Sequence, residues 1–151
     1  MSTEISSTSS SFERLRASFN QQNAMKTLGI GIESVSSGHI ELHMPYQPSL
    51  CQQHGFIHAG ITTAALDSAC GYAAFTQMPE GNGILTVEFK TTLLAPAKGE
   101  YFIYRGELIR AGRQLYFSQA KAFAIQEGKE SCIATMSATL MCIQGREEIK
   151  N

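Results

Sequence analysis

Between residues 58 and 77 lies the stretch that most constrains the fold of this chain. Ile61, Ala65, Ala69 and Ala73 recur at every fourth position. Ala64, Leu66, Cys70 and Ala74 make more than one side of the segment apolar. A helix apolar nearly all round is buried, not laid on a surface. Its small residues let other elements approach closely. Pro79 and Gly81-Asn82-Gly83 break it. Everything beyond reads as strand, over 84–94, 101–110, 114–125 and 131–143. Pro96 and Gly99, then Ala111-Gly112-Arg113, then Glu127-Gly128-Lys129 supply the breaks between them.

The segment before the buried helix is shorter on pattern. Ser10 and Glu13 have the spacing of a capping box. Phe12, Leu15 and Phe19 follow on one helical face, with an end expected near Asn23. A strand is expected over 28–36. Residues 39–44 alternate polar and apolar and form its partner after the Ser36-Ser37-Gly38 turn. Residues 45–57 make an irregular connection, longer than the usual ~4–6 residues. The 151 residues suit one domain. It is expected over 10–143, with a flexible tail at 1–9 and a loose tail at 144–151. The short turns predict that the last four strands are antiparallel neighbours. One antiparallel sheet of about six strands, wrapped around the single long helix, is the economical α+β architecture.

Composition excludes several function classes. Twelve basic against thirteen acidic residues give a net charge of −1, with no basic excess for nucleic acid or an anionic membrane. No apolar run reaches the ~18–20 residues of a membrane span. The four cysteines, at 51, 70, 132 and 142, form no C-x-x-C pair. The N-terminus lacks the basic and apolar regions of a secretory signal. A reduced, cytoplasmic protein is the expectation.

Two features could carry chemistry. Gln52-Gln53-His54-Gly55-Phe56-Ile57-His58-Ala59-Gly60 leads directly into the buried helix. The first amides of a helix are unpaired and its dipole is positive there, so such an end can polarise a carbonyl oxygen. A helix-entry loop with two surface histidines is the plainer reading. Asp67 is the second feature, a carboxylate inside the most apolar helix. Desolvation raises such a group toward the range useful to a general base. An Asp bonded to a neighbouring strand, or on a polar stripe with Thr63 and Ser68, is the alternative. Gly60 and Asp67 stand seven residues apart, ~10 Å along a helix. One substrate carbonyl cannot easily reach both in a single chain, so a shared reaction needs a second copy. Weaker constellations are Cys51, His54 and His58 as metal ligands, His39, Glu41 and His43 on one strand face, and Cys51 as a nucleophile near His54. No metal is expected.

His54-Gly-Phe-Ile-His58-Ala-Gly60, followed by Asp67, resembles the H-G-x-x-H-G-G block and downstream Asp of PaaI-like hotdog-fold acyl-CoA thioesterases. The strand from Thr86 to Pro96-Ala-Lys-Gly-Glu and the Gly112-Arg113 turn are similar to that family's later motifs. The match runs over about residues 25–143. The resemblance implies a hotdog fold and hydrolysis of an acyl-CoA to a carboxylic acid and free CoA, without any cofactor beyond the substrate's CoA. It implies that the Gly60 N–H polarises the thioester carbonyl and that Asp67 of a partner copy is the base or nucleophile. Gln52 stands near the thioester where many relatives have Asn, and Thr86 where some have a Ser that orients water. His58 would shape the oxyanion end, with His54, Gly55 and Ala59 lining the approach. Ala59 replaces the family's second Gly. Lys98 or Arg113, beside Gly112, would meet CoA phosphates. A homodimer, or a tetramer built from dimers, is the implied assembly. A non-catalytic acyl-CoA sensor on the same fold is the alternative function.

Overall fold

A computed structural model describes residues 4–149 of the chain. Helix α1 spans Glu4–Asn20 and α2 spans Asn23–Leu28. Strands β1 (Gly31–Ser36) and β2 (His39–Pro45) follow, then a single 3-10 turn at Pro48–Leu50. The central helix α3 covers Ala59–Phe75. Strands β3 (Gly83–Leu93), β4 (Tyr101–Ala111), β5 (Leu115–Gln126) and β6 (Lys129–Ile143) complete the sheet. A last 3-10 turn lies at Glu147–Ile149.

One six-stranded antiparallel sheet takes the order β1-β2-β4-β5-β6-β3. It curls around α3, as the sequence predicts. Alternate residues of β5 (Tyr116, Ser118, Ala120, Ala122, Ala124) and β6 (Ala134, Met136, Ala138, Leu140, Cys142) are buried on the helix side. The run of alanines on β5 leaves room for the helix backbone. Gly106 of β4 takes this furthest: a Cβ there would stand 2.2 Å from the Ala69 carbonyl oxygen. Ala65, Leu66, Ala69, Cys70 and Ala73 of α3 are wholly buried in return.

Four expectations are corrected. The last four strands are not successive neighbours: β3 pairs with β6 and never touches β4 in the sheet. Residues 94–100 carry the chain across to the far side of the wrap, which a local turn signal cannot reveal. The first helix begins at Glu4, so segment 4–9, expected to be a flexible tail, is helical, and Ser10 lies inside the helix. Residues 1–3 of that tail lie outside the described residues. The strand expected from 28 begins at Gly31, because 23–28 form α2, closed by Gly29 in the left-handed region (φ 70°). Of the tail expected at 144–151, residues 147–149 form a turn over Gly83, whose Cα approaches the Ile149 carbonyl, and 150–151 lie outside the described residues.

Helix α1 is tied to α3 by polar contacts as well as packing. Ser18 Oγ and Gln22 Nε2 each lie 3.1 Å from Tyr72 Oη. Arg14 donates to the Met78 carbonyl at 3.1 Å and stacks on the Phe75 ring at 4.5 Å. These contacts, with Leu15 and Phe19 in the core, explain a helix whose Ser/Thr-rich start has poor intrinsic propensity.

Candidate active site

The entry loop is built before its histidines can act. Gln52 N–H donates to the Phe56 carbonyl at 2.8 Å, and Gly55 N–H to that of Gln52 at 3.0 Å. This tight reversal needs φ +83° at Gly55, a conformation open to glycine at little cost. The Gln52 side-chain oxygen accepts from His54 N–H. The Gln52 carboxamide oxygen therefore holds its own turn, and His54 stands exposed on that turn. Ile57 N–H bonds to the Ala97 carbonyl and His58 N–H to that of Leu50, fixing the loop to its surroundings.

His58 is the N-cap of α3. Its Nδ1 accepts the Gly60 N–H at 2.9 Å. The imidazole thereby satisfies one of the unpaired first-turn amides, the role ordinarily filled by Ser, Thr, Asp or Asn. This acceptor geometry requires the neutral ring with its proton on Nε2. The amide expected to polarise a carbonyl is thus held by a neighbouring side chain, which a substrate oxygen must displace or share.

Asp67 sits in the middle of α3, partly buried, facing β3. Thr86 Oγ1 donates to Asp67 Oδ1 at 2.8 Å. A β-bulge at Val87 interrupts the β3–β6 register directly after Thr86, the kind of irregularity that re-aims a side chain. Burial raises the Asp67 pKa, and the Thr86 hydrogen bond partly offsets the rise. The result is a carboxylate more basic than usual, with one oxygen fixed and the other unclaimed by that bond. One turn on, burial and then the Asp67 charge push the Cys70 thiol up to about 12, so it stays protonated and unreactive.

A cavity of about 500 Å³ opens beside the N-terminus of α3. Phe56 and Ile57 of the entry loop, Leu93 to Ala97 of the crossover, Ile133, Gln52, Ala59 and Thr62 line it. Lys98 follows the crossover wall directly and is exposed. Asp67 does not line this cavity. Gly112 and Arg113, at the far end of β4, do not line it either.

The chain alone thus brings Thr86 to Asp67, and His58 to Gly60. It leaves Gly60 and Asp67 apart by seven helical residues, ~10 Å. Tyr72 and Phe75 are buried in the α1–α3 packing and Phe89 is exposed on β3, so these rings do not line the cavity. Phe56 does line the cavity. The crossover wall and Thr62 were not foreseen, although the apolar Leu93-Leu94 pair ahead of Pro96 was the available signal. Among the described residues no three His, Cys, Asp or Glu side chains are placed to hold a metal ion.

Residues 54–131 match the family model described as the thioesterase superfamily, more than half of the chain. The chain belongs to the thioesterase superfamily. This superfamily member is similar to a thioesterase family protein from Silicibacter pomeroyi, at 50% identity and a TM-score of 0.88, over 89% of this chain and 99% of that one. It shares its fold with the PaaI protein of the phenylacetic acid degradation operon of E. coli, at 18% identity and a TM-score of 0.79, over 89% and 94% of the two chains. It is also 29% identical over 90 residues to a protein of Halobacterium salinarum named as a candidate esterase, covering 56% of this chain and 59% of the relative. The chain therefore spans about three fifths of that relative's length. The fold is the hotdog fold and the protein is a thioester hydrolase. No described helix is long and apolar enough to cross a membrane.

Proposed function

We propose that the thioester is an acyl-CoA, and that two copies of the chain build each site. In the reaction, Asp67 acts as general base to a water or attacks the carbonyl itself. On the first route Asp67 takes a proton from water, the C–O bond forms, and charge collects on the carbonyl oxygen opposite the Gly60 N–H. The C–S bond then breaks, releasing the carboxylic acid and CoA as a thiolate that is reprotonated. Thr86 keeps one Asp67 oxygen in place so that the other meets the water. Lys98, at the cavity rim, pairs with a CoA phosphate.

The observation that carries this reading is the Asp67–Thr86 pair at the open edge of β3. Leu85, Val87, Phe89 and Leu93 of that strand are exposed by 46–56%, and among the described residues its outer backbone edge has no partner strand. A long, apolar, unprotected edge is a pairing surface. A second copy adding its own β3 about a two-fold axis would cover both edges at once. That pairing sets Asp67 of one copy toward Gly60 of the other, which the ~10 Å spacing within one helix otherwise prevents.

The test is CoA release from a panel of acyl-CoAs by the wild type and Asp67→Ala, with sedimentation measured on the same samples. Turnover by a dimer, lost in the variant, supports the reading. Equal turnover in Asp67→Ala, or a fully active monomer, overturns it. Tight acyl-CoA binding by both proteins without turnover would indicate a sensor.

A further inference from the structure

Strand β3 changes its register against β6 within the candidate site. Thr86 stands opposite Leu140, but Glu88 stands opposite Thr139, so Val87 is an extra residue on β3. The extra residue decides which way Thr86 points. Beyond it, Phe89 and Leu93 lie opposite Ala138 and Ala134, both buried on the helix side. Running that pairing back without an insertion would set Thr86 opposite Met141, which is 38% exposed on the face turned away from α3. A slip of one residue moves a side chain to the other face of a sheet. With Val87 inserted, Thr86 instead stands beside wholly buried Leu140 and reaches Asp67 at 2.8 Å.

Among the described residues β3 has no neighbour on its outer edge, so within the chain only β6 can hold the bulge from the side. The first pair beyond the insertion does so. Thr139 Oγ1 donates to Glu88 Oε1 at 2.5 Å, on the face turned away from α3. A hydroxyl bonded this closely to a carboxylate is roughly twice as strong as a neutral pair. Among the described residues it is the one side-chain hydrogen bond between β3 and β6. The extra residue is thus flanked by two bonds, Thr86 to Asp67 on the helix side and Glu88 to Thr139 on the other.

We infer that Glu88 and Thr139 are positioning residues for the hydrolysis: their hydrogen bond pins the bulge at Val87 and so holds Thr86 against Asp67. The inference rests on the reading of Asp67 above and extends it to two residues on the opposite face of the sheet. Neither side chain lines the cavity beside the central helix, so both act through Thr86. Without their bond the bulge is held by backbone pairing alone. Thr86 then gains freedom, and the second Asp67 oxygen loses its fixed aim.

The test uses Thr139→Val, Thr139→Ser and Glu88→Ala, assayed with the acyl-CoA that the wild type turns over fastest. Valine keeps the shape of threonine and suits a strand, and Glu88 is exposed, so both bond-breaking variants should fold. Each should lower kcat by about 10-fold with KM within about twofold, inside the ~100-fold that a misplacement of 1 Å can cost. Thr139→Ser keeps the donor and should restore kcat. In Thr86→Val/Thr139→Val the second change should add nothing to the first, because Thr139 works through Thr86. A bond that only stabilises the fold would lower Tm in Thr139→Val and Glu88→Ala and leave kcat at the wild-type level, which overturns the inference. Losses that multiply in the double variant overturn it too. If Asp67→Ala is inactive while both bond-breaking variants match the wild type, the inference falls and the thioesterase reading stands. Full activity in Asp67→Ala, or no turnover of any acyl-CoA by the wild type, overturns both.

Discussion

Thr86 Oγ1 reaches across from the edge strand to Asp67 Oδ1, 2.8 Å away in the middle of the central helix. The bond does two things with opposite signs for a base. It fixes the carboxylate, and it lowers a pKa that burial has raised. Thr86→Val should cut kcat by up to about 100-fold while KM changes little, the loss typical of a mispositioned reacting group. The alkaline-rising limb of the pH–rate profile should move to higher pH, since the lowering influence is gone. Thr86→Ser should restore both.

Asp67 should also be visible in stability. Its folded pKa lies above the unfolded value near 3.8, so the folded state binds the proton more tightly. Stability is then fully retained below the unfolded pKa and declines as pH rises through the folded pKa. Asp67→Asn, which cannot ionise, should melt higher than the wild type at neutral pH. The difference should shrink as the pH falls toward 4. A lower melting point for the variant at pH 7 would contradict a carboxylate whose burial outweighs its one bond from Thr86.

His58 caps α3 through Nδ1. His58→Ala removes that acceptor and should cost about 0.5–2 kcal/mol, the usual range for a lost N-cap. For a domain of this size that is a fall of roughly 1–8 °C in Tm. His58→Asn, which can cap the same turn, should recover most of it in thermal melts.

Two glycines should respond with opposite signs. Gly106→Ala would place a methyl 2.2 Å from the Ala69 carbonyl oxygen, and neither backbone can yield without separating helix from sheet. A loss of about 1–3 kcal/mol or more is expected. Gly71 lies in α3, where an added Cβ would meet only Leu140 Cδ2 at an ordinary 3.7 Å. Gly71→Ala should stabilise by roughly 0.5–1 kcal/mol. Urea denaturation of the pair measures both.

Val87 stands at the β3 bulge and is 53% exposed. Val87→Asp puts a charge on the strand edge where we place the second copy. It should yield monomers by sedimentation and lower kcat/KM by about 100-fold or more, because each Asp67 loses its opposing Gly60. An active dimer would move the interface elsewhere.

The period of α3 was legible because burial on all sides imposes a composition, and β2 because one wet face imposes alternation. The partner of β3 was not. Leu85, Val87 and Phe89 look like a strand wherever they are placed, and the crossover at 94–100 carries no mark of its direction. The start of α1 was hidden for a different reason. It is held by Leu15 and Phe19 in the core and by the Tyr72 hydroxyl, and Tyr72 lies more than 50 residues from the capping pattern at Ser10. In the site, Asp67 declared itself as an acid among alanines and leucines. The cap formed by His58 did not, because histidine is uncommon in that role and its spacing to Gly60 suits a loop equally well.

The order β1-β2-β4-β5-β6-β3 also sets a timetable for the growing chain. Strand β3 leaves the ribosome early, but its one partner within the chain is the last strand made. Until residues 129–143 emerge, eleven residues with five large apolar side chains have no strand to pair with. Such segments associate with their own kind when crowded. Glu88 and Lys90, set between Leu85 and Leu93, are charges of the sort that hold such strands apart during that wait. A ribosome stalled before residue 129 would hold a nascent chain with Asp67 and Thr86 both synthesised but no β6 to set β3 beside the helix. The Asp67–Thr86 pair is thus completed from the C-terminal end, by a strand that contributes no residue to it.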